Sequence, residues 1–327
     1  MAILNDDDCV GMPTNQRNAS LGDELVMRVG IPHIGGALTA HAFEEGFPAM
    51  VSASAFWREK QGRFHIPEIC NLHELDLALD SGGFVSGMLF KQKGRQRGIA
   101  NVFPWTLSQY VELAASLGVN FWSQPDLCVE PELASSREER DYRINATATL
   151  LEATLRQVYA WQNELAKTCA PSTVANMIKP PVPIIQGWTV SDYQRSMDLL
   201  MQVWSRWQPW LDVPTLIGVG SVCRRSLSHP EHGLHAILAG LEGLIPSGSR
   251  VHLFGVKGSV LSSLKLLPWV GSADSMAFDF GARIKARKQG CSNTMAHRSQ
   301  EMSAWMLKAS QRLRPATGDQ FRLPLFS

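Results

Sequence analysis

The stretch Leu75–Phe84, LDLALDSGGF, places a short apolar segment directly before an aspartate and a glycine pair. A short, mostly apolar run is typical of a parallel strand with both faces covered, because the alternation of polar and apolar residues then disappears. Asp80 closes this predicted strand, which spans 75–82. Burial of an aspartate carboxylate at the end of a strand destabilises the fold unless the group is solvated, paired with another group or employed in function. The stretch therefore predicts one strand of a parallel sheet with a candidate functional carboxylate at its carboxyl end.

Further segments share this short, apolar and often β-branched character, and they end in Gly, Pro, Ser or Asp. They cover residues 50–56, 120–125, 182–188, 215–222, 251–256 and 272–278. Amphipathic segments predicted as helices lie between them at 107–117, 137–166, 193–207 and 232–244. We interpret 171–183 as a loop that enters a strand, and Ser228 as the cap of the helix predicted at 232–244.

The alternation of strands and helices predicts an α/β fold with a parallel sheet. No glycine-rich dinucleotide turn follows the first strand, so we favour a closed (β/α)8 barrel of the TIM type over a doubly wound sheet. The chain of 327 residues suits one such barrel. We predict an acidic N-terminal segment over 1–26 and a single barrel domain over 27–327, with a basic helical segment over 281–327.

The overall composition excludes two classes of protein. Charged residues make up only 19% of the chain, which excludes a disordered protein, and the net charge of +1 excludes a histone-like basic protein. The cysteines occur singly, as expected of reduced thiols. The N-terminus lacks the pattern of a signal peptide, and no run is apolar and long enough to cross a membrane. We therefore expect a cytoplasmic protein.

Positive charge is nevertheless clustered in two places. Residues 281–327 carry nine basic residues against two acidic ones. The candidates for contact with nucleic-acid phosphates are Arg283, Lys285, Arg287 and Lys288 in that segment, and Lys91, Lys93, Arg95 and Arg97 in a predicted loop after the stretch LDLALDSGGF. A solvated helix face and a solvated loop would explain the same charges.

Four polar side chains stand at the ends of predicted strands. They are Asp80, Asp126, Gln186 and Asp274. Catalytic groups of a barrel lie at the carboxyl ends of its strands, although each aspartate alone could be a helix cap. Three aspartates from different strands favour catalysis, because paired carboxylates can divide nucleophilic attack and proton transfer in glycosyl transfer.

The stretch Asp80–Phe84 resembles the DSGG(F/Y) signature of the tRNA-guanine transglycosylase superfamily. Further segments resemble other elements of that superfamily in the same order, from about residue 75 to 280. They are Asp126-Leu-Cys128, Ile185-Gln186-Gly187, Gly218-Val-Gly-Ser221, Phe254-Gly255-Val256 and Asp274-Ser275.

This resemblance implies a (β/α)8 barrel that exchanges guanine in a nucleic acid for a 7-deazaguanine. Asp274 would attack C1′ and form a covalent glycosyl–enzyme, and Asp80 would be the general acid and base. Phe84 would stack on the flipped base, Asp126 would accept its N1–H and amine, and Gln186 would contact its O6 side. The remaining expected base-site residues are Cys128, Gly187, Gly220, Ser221, Phe254 and Gly255.

The chain departs from the tRNA enzymes in ways that favour a DNA-directed branch. Their zinc motif, CxCxxC with a later His, is reduced here to Cys291 and His297, so we expect no metal and no other cofactor. No RNA-binding domain follows the barrel before Ser327. These features resemble the deazapurine DNA-modification transglycosylases, the DpdA-like branch. That resemblance implies DNA and a preQ0-type 7-deazaguanine as substrates, and an ATP-hydrolysing partner protein.

Three other functions stay open from the sequence. The chain could be a tRNA-directed enzyme, a non-catalytic nucleic-acid-binding barrel subunit, or an unrelated hydrolase of small glycosides. A zinc site at His229, His232 and His235 is a further alternative, although solvated histidines at a helix start explain the same spacing.

Overall fold

The computed structural model describes residues 24–32, 34, 36–68 and 70–314. Residues 1–23 of the predicted N-terminal segment and 315–327 of the predicted basic segment lie outside these ranges. The division into domains at residue 26 stays a prediction.

The strands within the described ranges are short. They are β1 (Val26–Ile31), β2 (Ala49–Ser52), β3 (Trp57–Arg58), β4 (Arg63–Phe64), β5 (Leu77–Asp80), β6 (Phe121–Trp122), β7 (Ile184–Ile185), β8 (Leu216–Val219), β9 (Arg250–Leu253) and β10 (Val270–Ser275). The helices are α1 (Ala37–Glu44), α2 (Gly83–Lys93), α3 (Leu107–Leu117), α4 (Arg137–Leu165), α5 (Pro171–Met177), α6 (Val190–Ser205), α7 (Leu234–Leu241), α8 (Leu261–Leu264), α9 (Ala277–Gln289) and α10 (Met295–Leu313).

Eight strands form one parallel sheet in the order β6-β5-β2-β1-β10-β9-β8-β7, and β3 and β4 form a separate antiparallel hairpin. A parallel bridge between Ser123 and Val182 joins the ends of the row, next to β6 and β7. The sheet therefore curls into a barrel in which chain order is the order around the ring. This confirms the predicted α/β fold of the TIM type.

Strand β1 was missing from the segments predicted as strands. Arg28 interrupts its apolar run, and an arginine is rarely buried without a partner. Here Arg28 is buried, and its guanidinium lies 2.7 Å from the carboxylate of Asp76. This ion pair allows β1 to occupy the centre of the sheet, between β2 and β10.

Capping residues define several helix starts. Thr106, Ser136 and Thr189 each accept a hydrogen bond from the third helical residue and form complete capping boxes for α3, α4 and α6. The predicted cap at Ser228 is wrong, because α7 begins at Leu234 after Gly233. The loop predicted at 171–183 is also partly wrong, because α5 begins at Pro171, where a missing N–H costs nothing.

Apolar side chains fill part of the interior of the barrel. Met50, Ala78, Phe121, Ile184 and Leu216 form a buried cluster inside the sheet. Larger apolar clusters lie between the sheet and the helices. Among the described helices, none combines the length and the apolar character needed to cross a bilayer.

Candidate active site

A cavity of about 280 Å³ opens where the carboxyl ends of the barrel strands meet. A cavity of about 150 Å³ is enough for a benzene ring, so this one has room for a two-ring base. Its wall contains the predicted catalytic and base-contacting residues apart from Gly187: Asp80, Phe84, Asp126, Cys128, Gln186, Gly220, Ser221, Phe254, Gly255 and Asp274. The structure therefore brings together residues that are up to 194 positions apart.

Asp80 is the last residue of β5, and one of its carboxylate oxygens accepts a hydrogen bond from the Gly82 N–H at 3.0 Å. Burial, and to a smaller extent the negative charges of Asp126 and Asp274, together raise the pKa of Asp80 to about 7. A carboxyl group with this pKa exists in both protonation states near neutral pH. It is therefore suited to general acid and base chemistry.

Asp126 lies just after β6 and has both carboxylate oxygens engaged. Oδ1 accepts a hydrogen bond from the Ser81 hydroxyl at 2.6 Å, and Oδ2 accepts one from the Gln186 side-chain amide. A β-carbon on Gly83 would lie 2.7 Å from the Asp126 carbonyl oxygen, so a larger residue there would displace Asp126. Burial raises the pKa of Asp126, and these hydrogen bonds oppose the shift.

Asp274 lies in β10, and its side chain is 13% exposed. Its Oδ1 accepts a hydrogen bond from the Gly255 N–H at 2.8 Å and lies 3.4 Å from His252 Nε2. Oδ2 has no hydrogen-bond partner within the described part of the chain. The protein thus fixes one oxygen of this carboxylate and leaves the other for a ligand in the cavity.

His252 is a residue that the sequence analysis missed. It is fully buried in β9, and its Nδ1 lies 2.8 Å from the Ser272 hydroxyl. Burial lowers the pKa of His252, although the nearby Asp274 carboxylate opposes the shift. The imidazole thus lies between Ser272 and Asp274, and its Nε2 is close to the Asp274 carboxylate but has no hydrogen-bond partner among the described residues. The only sequence signal was a histidine inside an apolar strand.

Glu130 was also missed, although it lies only four residues after Asp126. It is buried in the cavity wall, and burial raises its pKa. Arg224 is a third such residue. Its guanidinium lies 4.9 Å from the ring centre of Phe84 at the cavity mouth, and its φ of 59° is a left-handed conformation that arginine rarely adopts.

Gly187 does not line the cavity. A β-carbon there would lie 2.8 Å from the ring of Tyr193, and the Gly187 carbonyl accepts a hydrogen bond from Arg225 at 2.7 Å. The residue therefore supports the position of its neighbour Gln186 from behind. A direct contact between Gly187 and the base stays a prediction.

The first predicted basic cluster was assigned to a loop, which is wrong for its first two members. Lys91 and Lys93 form the last turn of α2. The Lys91 ammonium donates to the Glu132 carbonyl at 2.8 Å, and Glu132 lines the cavity, so Lys91 lies beside the mouth. Lys93 is paired with Glu59 at 3.0 Å. Arg95 and Arg97 follow in the connection after α2.

The second basic cluster lies along α9, which starts at the carboxyl end of β10. Arg283 is paired with Asp279 at 2.9 Å, and Lys285 with Glu301 at 2.5 Å. Arg287 and Lys288 are exposed and lie about 15 Å further along the helix than its first residue, at 1.5 Å per residue.

The zinc site considered at His229, His232 and His235 is not formed in the structure. The rings of His229 and His232 stack with their centres 3.4 Å apart, and His232 also stacks on Trp188. Within the described ranges, no group of three or more His, Cys, Asp or Glu side chains is arranged to hold a metal ion. The expectation that the protein needs no cofactor stays a prediction.

Three aspartates and a buried glutamine of a parallel barrel thus surround one base-sized cavity. The sequence profile of one family, described as DpdA, deoxypurine in DNA protein A, matches residues 44–324. The chain belongs to this family, which confirms the resemblance found in the sequence and supports a role in deazapurine modification of DNA. The comparison with curated proteins finds no match.

Proposed function

We propose that this protein is a DNA-guanine transglycosylase that replaces guanine in DNA with a 7-deazaguanine base of the preQ0 type. The observation that carries the proposal is the placement of Asp80, Asp126 and Asp274 in one cavity at the carboxyl end of the barrel. Membership of the deoxypurine family supports DNA as the nucleic acid.

In the first half of the reaction, the free oxygen of Asp274 attacks C1′ of a flipped deoxyguanosine. The C1′–N9 bond breaks as the C1′–oxygen bond forms, and the electron pair leaves with the guanine. Asp80 donates a proton to the departing base, which its pKa of about 7 allows near neutral pH. The product is a covalent ester between Asp274 and the deoxyribose of the DNA.

In the second half, the 7-deazaguanine occupies the place of guanine. Asp80 now accepts the N9 proton, N9 attacks C1′, and the Asp274 carboxylate leaves. Each half inverts the configuration at C1′, so the exchange proceeds with overall retention. One carboxyl group thus serves as acid and then as base, and no net proton is gained or lost.

Recognition of the base rests on the part of the cavity wall next to Asp80, where the Ser81 hydroxyl donates to Asp126. The anionic Asp126 accepts from the N1–H and the exocyclic amine of guanine, an edge that the deazaguanine shares. Gln186 and the backbone near Gly220 contact the O6 side, and Phe84 offers an aromatic face for stacking. Cys128, Ser221, Phe254 and Gly255 complete the base site.

The DNA backbone is expected to bind around the mouth of this cavity. Lys91 and Arg224 lie there, and neither is paired with a carboxylate among the described residues. Charge reversal of Lys91, Lys93, Arg95 and Arg97 together is expected to weaken DNA binding and to reduce its dependence on salt. An unchanged salt dependence would place the DNA elsewhere.

The decisive experiment incubates the purified protein with DNA and preQ0 and follows both the protein and the DNA by mass spectrometry. The wild type is expected to give denaturation-stable DNA–protein ester and deazaguanine in the DNA. Asp274→Asn is expected to give neither, while it folds and binds DNA like the wild type. An active Asp274→Asn variant would remove this residue as the nucleophile.

Nucleoside analysis of cells with and without the gene separates the other functions. Deazaguanine in tRNA alone would indicate a tRNA-directed enzyme. Its absence from both nucleic acids would indicate a non-catalytic subunit or a glycoside hydrolase. An ATP-hydrolysing partner is part of the proposal, and addition of that partner is expected to raise the exchange rate on duplex DNA.

A further inference from the structure

A chain of hydrogen bonds connects Glu130 to Asp126 through the cavity wall. The Ser221 Oγ lies 2.9 Å from Glu130 Oε2 and 2.6 Å from Gln186 Oε1, and the Gln186 amide nitrogen donates to Asp126 Oδ2. Ser221 also accepts a hydrogen bond from the Val129 N–H at 2.9 Å. The four residues joined by these hydrogen bonds are each at most 6% exposed and line the cavity.

The number of protons shared along this series of hydrogen bonds can be counted. The Ser221 hydroxyl has one proton but faces two oxygen atoms, one on Glu130 and one on Gln186. If Ser221 donates to Gln186, Glu130 must carry a proton and donate it to Ser221. If Ser221 donates to an ionised Glu130, the Gln186 amide must turn over and donate to Ser221, and its oxygen then faces Asp126. Asp126 must then be protonated.

Both arrangements satisfy every donor and acceptor, and both contain one proton on the two carboxyl groups together. We propose that Asp126 and Glu130 share a single proton through Gln186 and Ser221, and that Glu130 is the positioning residue that keeps Asp126 anionic when a guanine-type base is bound. This inference rests on the proposed function, because it assigns Asp126 to the donor edge of the base.

The charges around the pair agree with a shared proton. Burial raises the pKa of Asp126 and of Glu130. Besides Asp126, the groups that act on Glu130 are the thiols of Cys128 and Cys223, the phenol of Tyr193, and the guanidiniums of Arg225 and Arg143. Arg225 donates to backbone carbonyls, including that of Gly187, and Arg143 donates to the Cys128 carbonyl, so neither forms an ion pair with Glu130.

The shared proton gives the site a means of discrimination. Guanine and 7-deazaguanine offer N–H donors, which require an anionic Asp126 and hence a proton on Glu130. A base with an acceptor at N1, such as adenine, finds no donor on Asp126 in either arrangement, because Asp126 is ionised in one and donates its single proton to Gln186 in the other. Binding of a guanine-type base therefore favours the arrangement in which Glu130 carries the proton.

The proposal predicts a specific dependence on pH. When Glu130 loses its proton at high pH, Ser221 donates to Glu130 and no longer to Gln186. The Gln186 oxygen is then left opposite the Ser221 oxygen without a proton between them. Affinity for guanine is therefore expected to fall on the alkaline side of the raised pKa of Glu130.

The test compares Glu130→Gln with Glu130→Leu in binding of free guanine and in base exchange from pH 6 to 9. The glutamine amide donates to Ser221 at every pH, so Glu130→Gln is expected to bind guanine within about threefold of the wild type at neutral pH and to lose the alkaline decline. Glu130→Leu removes the donor, and its KM for the base is expected to rise about ten- to hundredfold. The rate of ester formation with saturating DNA is expected to change far less. Glu112→Gln removes the same charge from the exposed face of α3 and serves as the control.

Calorimetry of guanine binding in buffers of different ionisation enthalpy provides a second measurement. Proton uptake that rises with pH is expected for the wild type and for Glu112→Gln, and is expected to be absent in Glu130→Gln. The proposal is overturned if Glu130→Gln is as impaired as Glu130→Leu, or if it keeps the alkaline decline. Guanine binding with this pH dependence but without exchange on DNA would overturn the proposed function instead.

Discussion

Replacement of Asp80 by asparagine is expected to stabilise the fold while it abolishes base exchange. Burial, together with the charges of Asp126 and Asp274, raises the pKa of Asp80 from 3.8 to about 7. The ionised side chain therefore costs the folded protein about 4 kcal/mol relative to the protonated one. An active site that needs such a carboxyl group holds it at the expense of stability.

The sign of the pH effect follows from linkage. The folded protein retains the Asp80 proton up to about pH 7, whereas the unfolded chain loses it near 3.8. The contribution of this group to stability is fully present below about pH 4 and is lost as the pH rises to 7. Asparagine is neutral throughout and can still accept the hydrogen bond from Gly82. The advantage of Asp80→Asn over the wild type therefore grows with pH.

The size of the effect can be measured between pH 5.0 and 8.5. The stability difference between Asp80→Asn and the wild type is expected to increase by about 3 kcal/mol over this range, equivalent to about 4 °C in Tm for a chain of this length. Thermal and urea unfolding at both pH values measure it, and Asp198→Asn, an exposed carboxylate on α6, is the control. A difference that does not change with pH would refute the idea that burial destabilises the ionised Asp80.

Three further predictions concern recognition and binding. Asp126→Ala is expected to raise KM for the base at least tenfold through loss of charged hydrogen bonds, while DNA affinity at fixed salt stays the same; equal losses in both would contradict its assignment to the base. Gly220→Ala places a β-carbon 2.2 Å from the Gln186 amide nitrogen, so it is expected to raise KM for the base as well, and an unchanged KM in base-exchange kinetics would show that Gln186 is not needed. Arg224→Gln is expected to reduce the slope of log K against log salt for DNA binding by about 0.9, the value for one phosphate contact. Lys167→Gln, at an exposed residue just beyond the C-terminal end of α4, removes the same charge and is expected to leave the slope unchanged. Anisotropy titrations at several salt concentrations would contradict the assignment if both variants gave the same slope.

Part of the barrel was predictable because its signals are local. Short apolar segments that end in Asp80, in Asp126 and in Gln186 predicted the strands and the polar residues at their ends. The helix at 107–117 was predicted with its observed limits from its amphipathic pattern, and the structure adds a capping box at Thr106. Strand β1 was not predicted because it contains Arg28. The residue that makes burial of Arg28 possible, Asp76, is 48 residues away in the sequence.

The sequence by itself determined the alternation of strands and helices, the family, and the carboxylates at the strand ends. Each of these depends on residues that are neighbours along the chain. Only the tertiary structure decided that hydrogen bonds connect Glu130 to Asp126, that His252 lies beside Asp274, and that Arg224 lies over Phe84. These relations depend on distances of a few ångströms between side chains from separate strands. Closure of the barrel sets those distances, and no local pattern of residues encodes them.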